Sequence, residues 1–175
     1  MLELASGSGE HIVHFAAALP GLTFQPTDPD PAARASTAAH VAAAGLGNVR
    51  APLALDATAP CWELPAAMAA QLVAITCINM IHISPWEATL GLMRGAGTAL
   101  PPGGLLFLYG PYRRGGAHTA PSNAEFDASL RARNPAWGLR DLEAVVAEAG
   151  LHGFALVEVV DMPANNLTVV LRKPL

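Results

Sequence analysis

A chain of 175 residues is long enough for one domain with a sizeable core and too short for two ordinary ones. Its residues are 52% hydrophobic and 14% charged, which excludes a disordered or fibrous chain and favours a layered fold with most elements buried on at least one face. A formal net charge of -4 removes the broad basic surface that nucleic-acid backbones require, so a small-molecule partner is expected and no nucleic acid.

In chain order, Glu3-Leu4-Ala5-Ser6-Gly7-Ser8-Gly9-Glu10-His11 comes first. An apolar start, an acid and two glycines one apart predict a strand turning sharply into a helix, with small residues that let backbone approach a ligand. Ile12, Phe15, Ala16 and Leu19 continue at helical spacing until Pro20-Gly21. Leu22–Thr27 predicts a second strand that delivers Asp28 to its carboxyl end, and Asp30 is expected to cap a helix with Pro31 at its first position. Val49–Leu55 reads as a third strand ending at Asp56.

Residues 64 to 86 carry no formal charge, the one feature that could suggest a membrane span. Pro65, Gln71, Asn79, His82, Ser84 and Pro85 interrupt any membrane span, so no membrane insertion is expected. Leu72–Ile78 predicts a strand covered on both faces at the centre of the sheet. Ser84-Pro85-Trp86-Glu87 reads as a capping box opening a helix toward Ala99, Leu105–Tyr109 as a fifth strand, and Ser122 with Glu125 as a second capping box. Leu139–Ala149 marks a further helix. Ala155–Val160 and Leu167–Leu171 are joined too closely for a parallel crossover, so they must pair antiparallel if adjacent. Cys61 and Cys77 form no close pair and no export signal precedes them, which fits a reducing, cytoplasmic setting.

The expected fold is therefore α/β, a doubly wound, mostly parallel sheet in a single domain over residues 1–175, with an antiparallel carboxyl-terminal strand. Ligands of such sheets bind beyond the carboxyl ends of the strands, where Glu3–Gly9, Asp28, Asp56 and Asn79–His82 would converge. Asp28 follows Gly9 by about twenty residues, the spacing at which an acid receives ribose hydroxyls. A nicotinamide enzyme would use the same logic, but Ile12 stands where its third glycine belongs. Two alternatives stay open on the residues alone: an NAD(P)-dependent oxidoreductase, and a non-catalytic cofactor-binding or interaction protein. His11 and His14 share one helix face, yet no third ligand is apparent, so no metal is expected.

Glu3–Gly9 resembles the acidic-x-small-x-Gly-x-Gly motif of class I S-adenosylmethionine-dependent methyltransferases. Together with Gln25–Asp30, Asn79–Trp86 and Tyr109–Tyr112, it is similar more narrowly to the family that includes methyltransferase-like protein 26. The resemblance implies a three-layer Rossmann-like fold with seven strands in the order 3-2-1-4-5-7-6, and S-adenosylmethionine as cofactor. It assigns Glu3, Ala5, Ser6, Gly7 and Gly9 to the methionine end, Asp28 to the ribose, and Asp56 with Ala57 to the adenine. Asn79 and Met80 would then face the methyl group. Members of that family carry a segment before the glycine motif, so a start at Met1-Leu2 implies a shortened first strand. His82 is the candidate base for a small-molecule acceptor, and Tyr109, Tyr112 and Arg113 are candidates to line its site.

Overall fold

A computed structural model describes residues 1–175. Its strands are β1 (Leu2–Leu4), β2 (Gln25–Thr27), β3 (Ala74–Ile78), β4 (Leu105–Gly110), β5 (Arg113–Arg114), β6 (Ala117–His118), β7 (Ala155–Met162) and β8 (Asn166–Arg172). Its helices are α1 (Glu10–Ala18), α2 (Pro31–Ala43), α3 (Ala66–Ala69), α4 (Trp86–Ala99), α5 (Pro121–Arg133) and α6 (Leu142–Leu151). The main sheet has six strands in the order β2-β1-β3-β4-β8-β7, while β5 and β6 form a separate two-stranded sheet. Strands β2, β1, β3 and β4 pair in parallel, and β8 is antiparallel to both β4 and β7.

Alternation along the strands divides the sheet into two faces. Leu2 and Leu4 stand in register with Ile75 and Cys77, and these with Leu106 and Leu108. All six sit in one core cluster with Leu92, Met93 and Ala96 of α4 and Leu142, Val145 and Ala149 of α6. The opposite face is covered over β2 and β1 by α1, whose Ile12 and Ala16 pack on Phe24. Helices thus form a layer on each face, as the three-layer expectation required. The position expected for a third nucleotide-fold glycine is Ile12, fully buried in this second cluster.

One expected strand is only vestigial. Val49–Leu55 makes two isolated parallel bridges, Phe24 to Val49 and Thr27 to Leu53, so it extends the sheet beyond β2 without forming a regular strand. The cause is proline on both sides: Pro26 and Pro52 each lack an N–H for the ladder. The Gln25 side-chain amide replaces one lost donor by reaching the Ala51 carbonyl at 2.8 Å. Counting this segment, the order agrees with the expected seven-strand pattern.

Both capping boxes fail to form. The Ser84 hydroxyl donates to the Met80 carbonyl at 2.8 Å, and α4 begins at Trp86 without a side-chain cap. Ser122 lies inside α5, and its hydroxyl accepts from Asn165 at 3.2 Å. Asp30 does cap α2, accepting from the Ala32 amide at 2.8 Å.

Gln25→Met removes the substitute donor while keeping side-chain volume. It should lower unfolding free energy by about 1–2 kcal/mol in urea titration, because the Ala51 carbonyl loses its partner.

Candidate functional site

The loop from Ala5 to Gly9 leaves the carboxyl end of β1, between the neighbours β2 and β3 where strand order reverses. It is tied down almost wholly by the end of β2. The Ser6 amide donates to the Thr27 carbonyl at 2.9 Å, the Ser6 hydroxyl accepts from the Thr27 amide at 3.2 Å, and the Thr27 hydroxyl donates to the Glu3 carbonyl at 2.8 Å. The Gly7 amide donates to Asp28 Oδ2 at 3.0 Å, and the other Asp28 oxygen accepts from the Asp30 amide at 2.9 Å. From α2, Thr37 and Ser36 donate to the carbonyls of Gly7 and Ser8.

The two glycines of the loop differ in duty. At Gly9 a Cβ would stand 2.7 Å from the backbone Cα of Thr37, so this glycine lets α1 and α2 close together. At Gly7, with φ +56, a Cβ would meet nothing within 4 Å. That empty space beside a backbone turn is a place where a ligand can approach.

Glu3 lies within β1 and is 1% exposed. Burial raises its carboxyl to about 7, against a smaller opposing contribution from Ser6. Its Oε2 is buried with no hydrogen-bond partner. A buried carboxyl with a vacant acceptor makes Glu3 a candidate binding residue. With the open Gly7 turn following it in the chain, it fits a ligand that carries an ammonium group.

The remaining expected cofactor residues also lie beyond strand ends. Asp56 is exposed and accepts at Oδ1 from the Thr58 amide and hydroxyl, both at 2.8 Å. Ala57 is buried against α4, where a Cβ on Gly91 would overlap its carbonyl. Asn79 follows β3 in the left-handed region at φ 59, with its amide donating to the Tyr109 carbonyl at 2.9 Å. Met80 is buried and its carbonyl anchors Ser84.

His82 sits in the same turn, 4% exposed, with its ring edge-on to Phe126 at 5.7 Å. Burial first, and the nearby Arg140 charge second, pull its pKa down to about 4. The ring is therefore neutral at physiological pH, and neither ring nitrogen is hydrogen-bonded within the protein. A Cβ on Gly110 would lie 2.9 Å from His82 Cε1 and 3.4 Å from Asn79 Oδ1, so that glycine admits both side chains. Arg140 braces the turn by donating to the Ser84 and Ala136 carbonyls at 2.9 and 2.7 Å.

Two of the expected acceptor-site residues are committed elsewhere. Tyr112 is 2% exposed and belongs to the core cluster. Arg113 pairs with Asp141 at 3.2 Å, fixing the β5–β6 hairpin to the start of α6. Tyr109 is half-buried on the sheet face that also carries Glu3. The open cavity near His82, about 600 Å³ in volume, is instead walled by Asn79 and His82, by Asn123, Phe126 and Arg133 of α5, and by Asn165 with its neighbours before β8. Asp127 holds α5 in place: it accepts from Leu139 N at 2.8 Å, from His118 at 3.0 Å and from Arg131 at 3.2 Å. Sequence patterns could not assemble these walls. The one available signal was Asn165-Asn166, a pair suited to a tight turn.

Residues 1–173 match the family described as protein of unknown function, DUF938. Among solved structures the chain is similar to the S-adenosylmethionine-dependent methyltransferase SibL in its apo form, at 22% identity and TM-score 0.80, covering 99% of this chain and 50% of that one. It is similar to an O-methyltransferase family 2 protein from Planctomyces limnophilus DSM 3776 in complex with apigenin, at 19% identity and TM-score 0.82, covering 98% and 50%. PigF with SAH matches at 17% identity and TM-score 0.76, covering 98% and 55%. The chain spans about half the length of these proteins, and the likeness establishes its fold.

The Glu3 carboxyl prefers its protonated form when folded, so stability falls as pH rises from the free value toward 7. Glu3→Gln should therefore raise the melting temperature at pH 8 by an amount corresponding to about 3 kcal/mol, and leave it nearly unchanged at pH 4.5; equal shifts at both pH values would refute the assignment. The glycines should separate as well. Gly9→Ala should cost roughly 2–4 kcal/mol by forcing α1 from α2, whereas Gly7→Ala should cost about 1 kcal/mol from its backbone conformation alone, both read by chemical denaturation.

Proposed function

The chain belongs to the DUF938 family, and on that premise we propose that it binds S-adenosylmethionine across the carboxyl ends of β1, β2 and β3 and directs methyl transfer to a small-molecule acceptor. The observation that carries this reading is the vacant Glu3 carboxylate oxygen, followed along the chain by the open Gly7 turn. A dinucleotide would need a third glycine and a pyrophosphate cradle at this turn, where Ile12 is packed into the core instead. The motifs Gln25–Asp30, Asn79–Trp86 and Tyr109–Tyr112 support the narrower similarity to methyltransferase-like protein 26.

Glu3 would receive the ammonium of the methionine end, and the Gly7 turn would lie against it. Asp28 keeps a lone pair on each oxygen beyond its loop contacts, which suits it to ribose hydroxyls. The free Oδ2 of Asp56 and the buried Ala57 would meet the adenine. When bound, the sulfonium supplies the methyl group, and the protein's task is alignment.

Asn79 and His82 line the cavity and would orient the acceptor. A neutral imidazole with a pKa near 4 accepts a hydrogen bond from a hydroxyl well but takes up its proton poorly. His82 is accordingly a group that aims the nucleophile's lone pair, with the proton passing on to solvent.

Calorimetric titration with S-adenosylhomocysteine should give saturable binding to the wild type. NAD(H) should give none. Asp28→Asn should weaken the S-adenosylhomocysteine affinity about tenfold to a hundredfold, the effect of weakening charge-assisted hydrogen bonds to the ribose. Absence of S-adenosylhomocysteine binding by the wild type would sink the proposal.

A further inference from the structure

The cavity on the β4 and β8 side of Asn79 has a charge and hydrogen-bonding pattern that limits what can enter it. Its lining contains one charged side chain, Arg133, and no carboxylate. Arg133 makes no hydrogen bond or ion pair; the Trp137 ring, 5.5 Å away, supports its guanidinium. A free guanidinium on a cavity wall is suited to a bidentate anion.

The amides around it are oriented by their own contacts. The Asn123 nitrogen donates to the Thr119 hydroxyl at 3.0 Å and to the Asn165 carbonyl at 3.1 Å. The Asn165 nitrogen donates to Ser122. Both side-chain oxygens are left without a partner in the protein, as are the ring nitrogens of His82. The cavity therefore offers acceptors to hydroxyl groups and one cation to an anion. Phe126, 36% exposed, gives it an aromatic wall on which a flat ring can rest.

Resting on the methyl-transfer reading above, we propose that the acceptor is an aromatic hydroxy acid, held by its carboxylate at Arg133 and presenting its hydroxyl to His82, and that amines are rejected. In the reaction the hydroxyl oxygen bonds to the methyl carbon while the carbon–sulfur bond breaks. The electron pair remains on sulfur as a neutral thioether, and the hydroxyl proton leaves to solvent. A cationic amine of the same size would meet Arg133 with no carboxylate to offset the repulsion.

The test compares 3- and 4-hydroxybenzoate with tyramine as probes, by calorimetry and by chemical-shift perturbation of the asparagine side-chain amides, on wild type and Arg133→Gln. At least one hydroxybenzoate should bind wild type tenfold or more tightly than tyramine and shift the Asn123 and Asn165 signals. Arg133→Gln should erase that preference without changing the melting temperature or the S-adenosylhomocysteine affinity, since Arg133 is exposed on the last turn of α5. Tyramine binding as tightly as the hydroxybenzoates, or a preference that survives Arg133→Gln, overturns the proposal. Hydroxybenzoate discrimination with no S-adenosylhomocysteine binding would refute the methyl-transfer reading separately, and failure of every probe beside intact S-adenosylhomocysteine binding would refute the acceptor class alone.

Discussion

The Asp28 carboxylate holds two loops at once, and the geometry of the site depends on it. One oxygen takes the Gly7 amide and the other the Asp30 amide, so the turn after β1 cannot move without the turn after β2. Because Asp30 in turn caps α2, and Thr37 of α2 fills the space beside Gly9, the chain of contacts runs from loop to strand end to helix and back. A carboxylate receiving backbone N–H groups is among the stronger hydrogen-bonded arrangements available to a loop. The turns after β1 and β2 are thus fixed by the protein's own contacts, which under the proposed function lowers the ordering cost of binding.

Backbone strain is confined to the same region. Four residues other than glycine adopt positive φ: Ala5, Asn79, Ala164 and Asn165. Ala5 opens the glycine loop, and Asn79, Ala164 and Asn165 line the cavity. Each such residue costs of order 1–3 kcal/mol and persists where surrounding contacts over-determine it. Asn79 is fixed by the Tyr109 carbonyl and Asn165 by Ser122 and Asn123. Three of the four, Asn79, Ala164 and Asn165, line the cavity beside His82.

Much of this was legible in the residues, and what was not has identifiable reasons. Periodicity located α1, α6 and the strand cores, because their burial is one-sided or complete, while Asp30-Pro31 located α2 and the residues around Pro85 located α4. The short link at residues 161–166 correctly required an antiparallel end to the sheet. The two capping signatures marked the starts of α4 and α5, but their caps do not form because Ser84 and Ser122 found other partners: a nearby carbonyl in one case, a residue 43 positions along the chain in the other. Tyr112 and Arg113 looked like site residues from their place after β4, but only packing reveals that one is core and the other paired. The cavity joins α5 to turns before α4 and β8, and no local pattern encodes that meeting.

Glu3 and His82 pull stability in opposite directions with pH. Glu3 is raised from 4.5 to about 7, so its contribution is fullest at low pH and is lost as pH rises through that interval. His82 is lowered from 6.5 to about 4, so its contribution is fullest at neutral pH and is lost as pH falls through its own interval. Between 4.5 and 6.5 the two slopes, each about 1.4 kcal/mol per pH unit, largely cancel. What does not cancel is binding. Under the proposed function a cationic ammonium beside Glu3 favours the carboxylate, so cofactor uptake below pH 7 must expel a proton, and affinity declines as acidity rises. The residue that weakens the empty fold at neutral pH is the one whose charge the ligand satisfies.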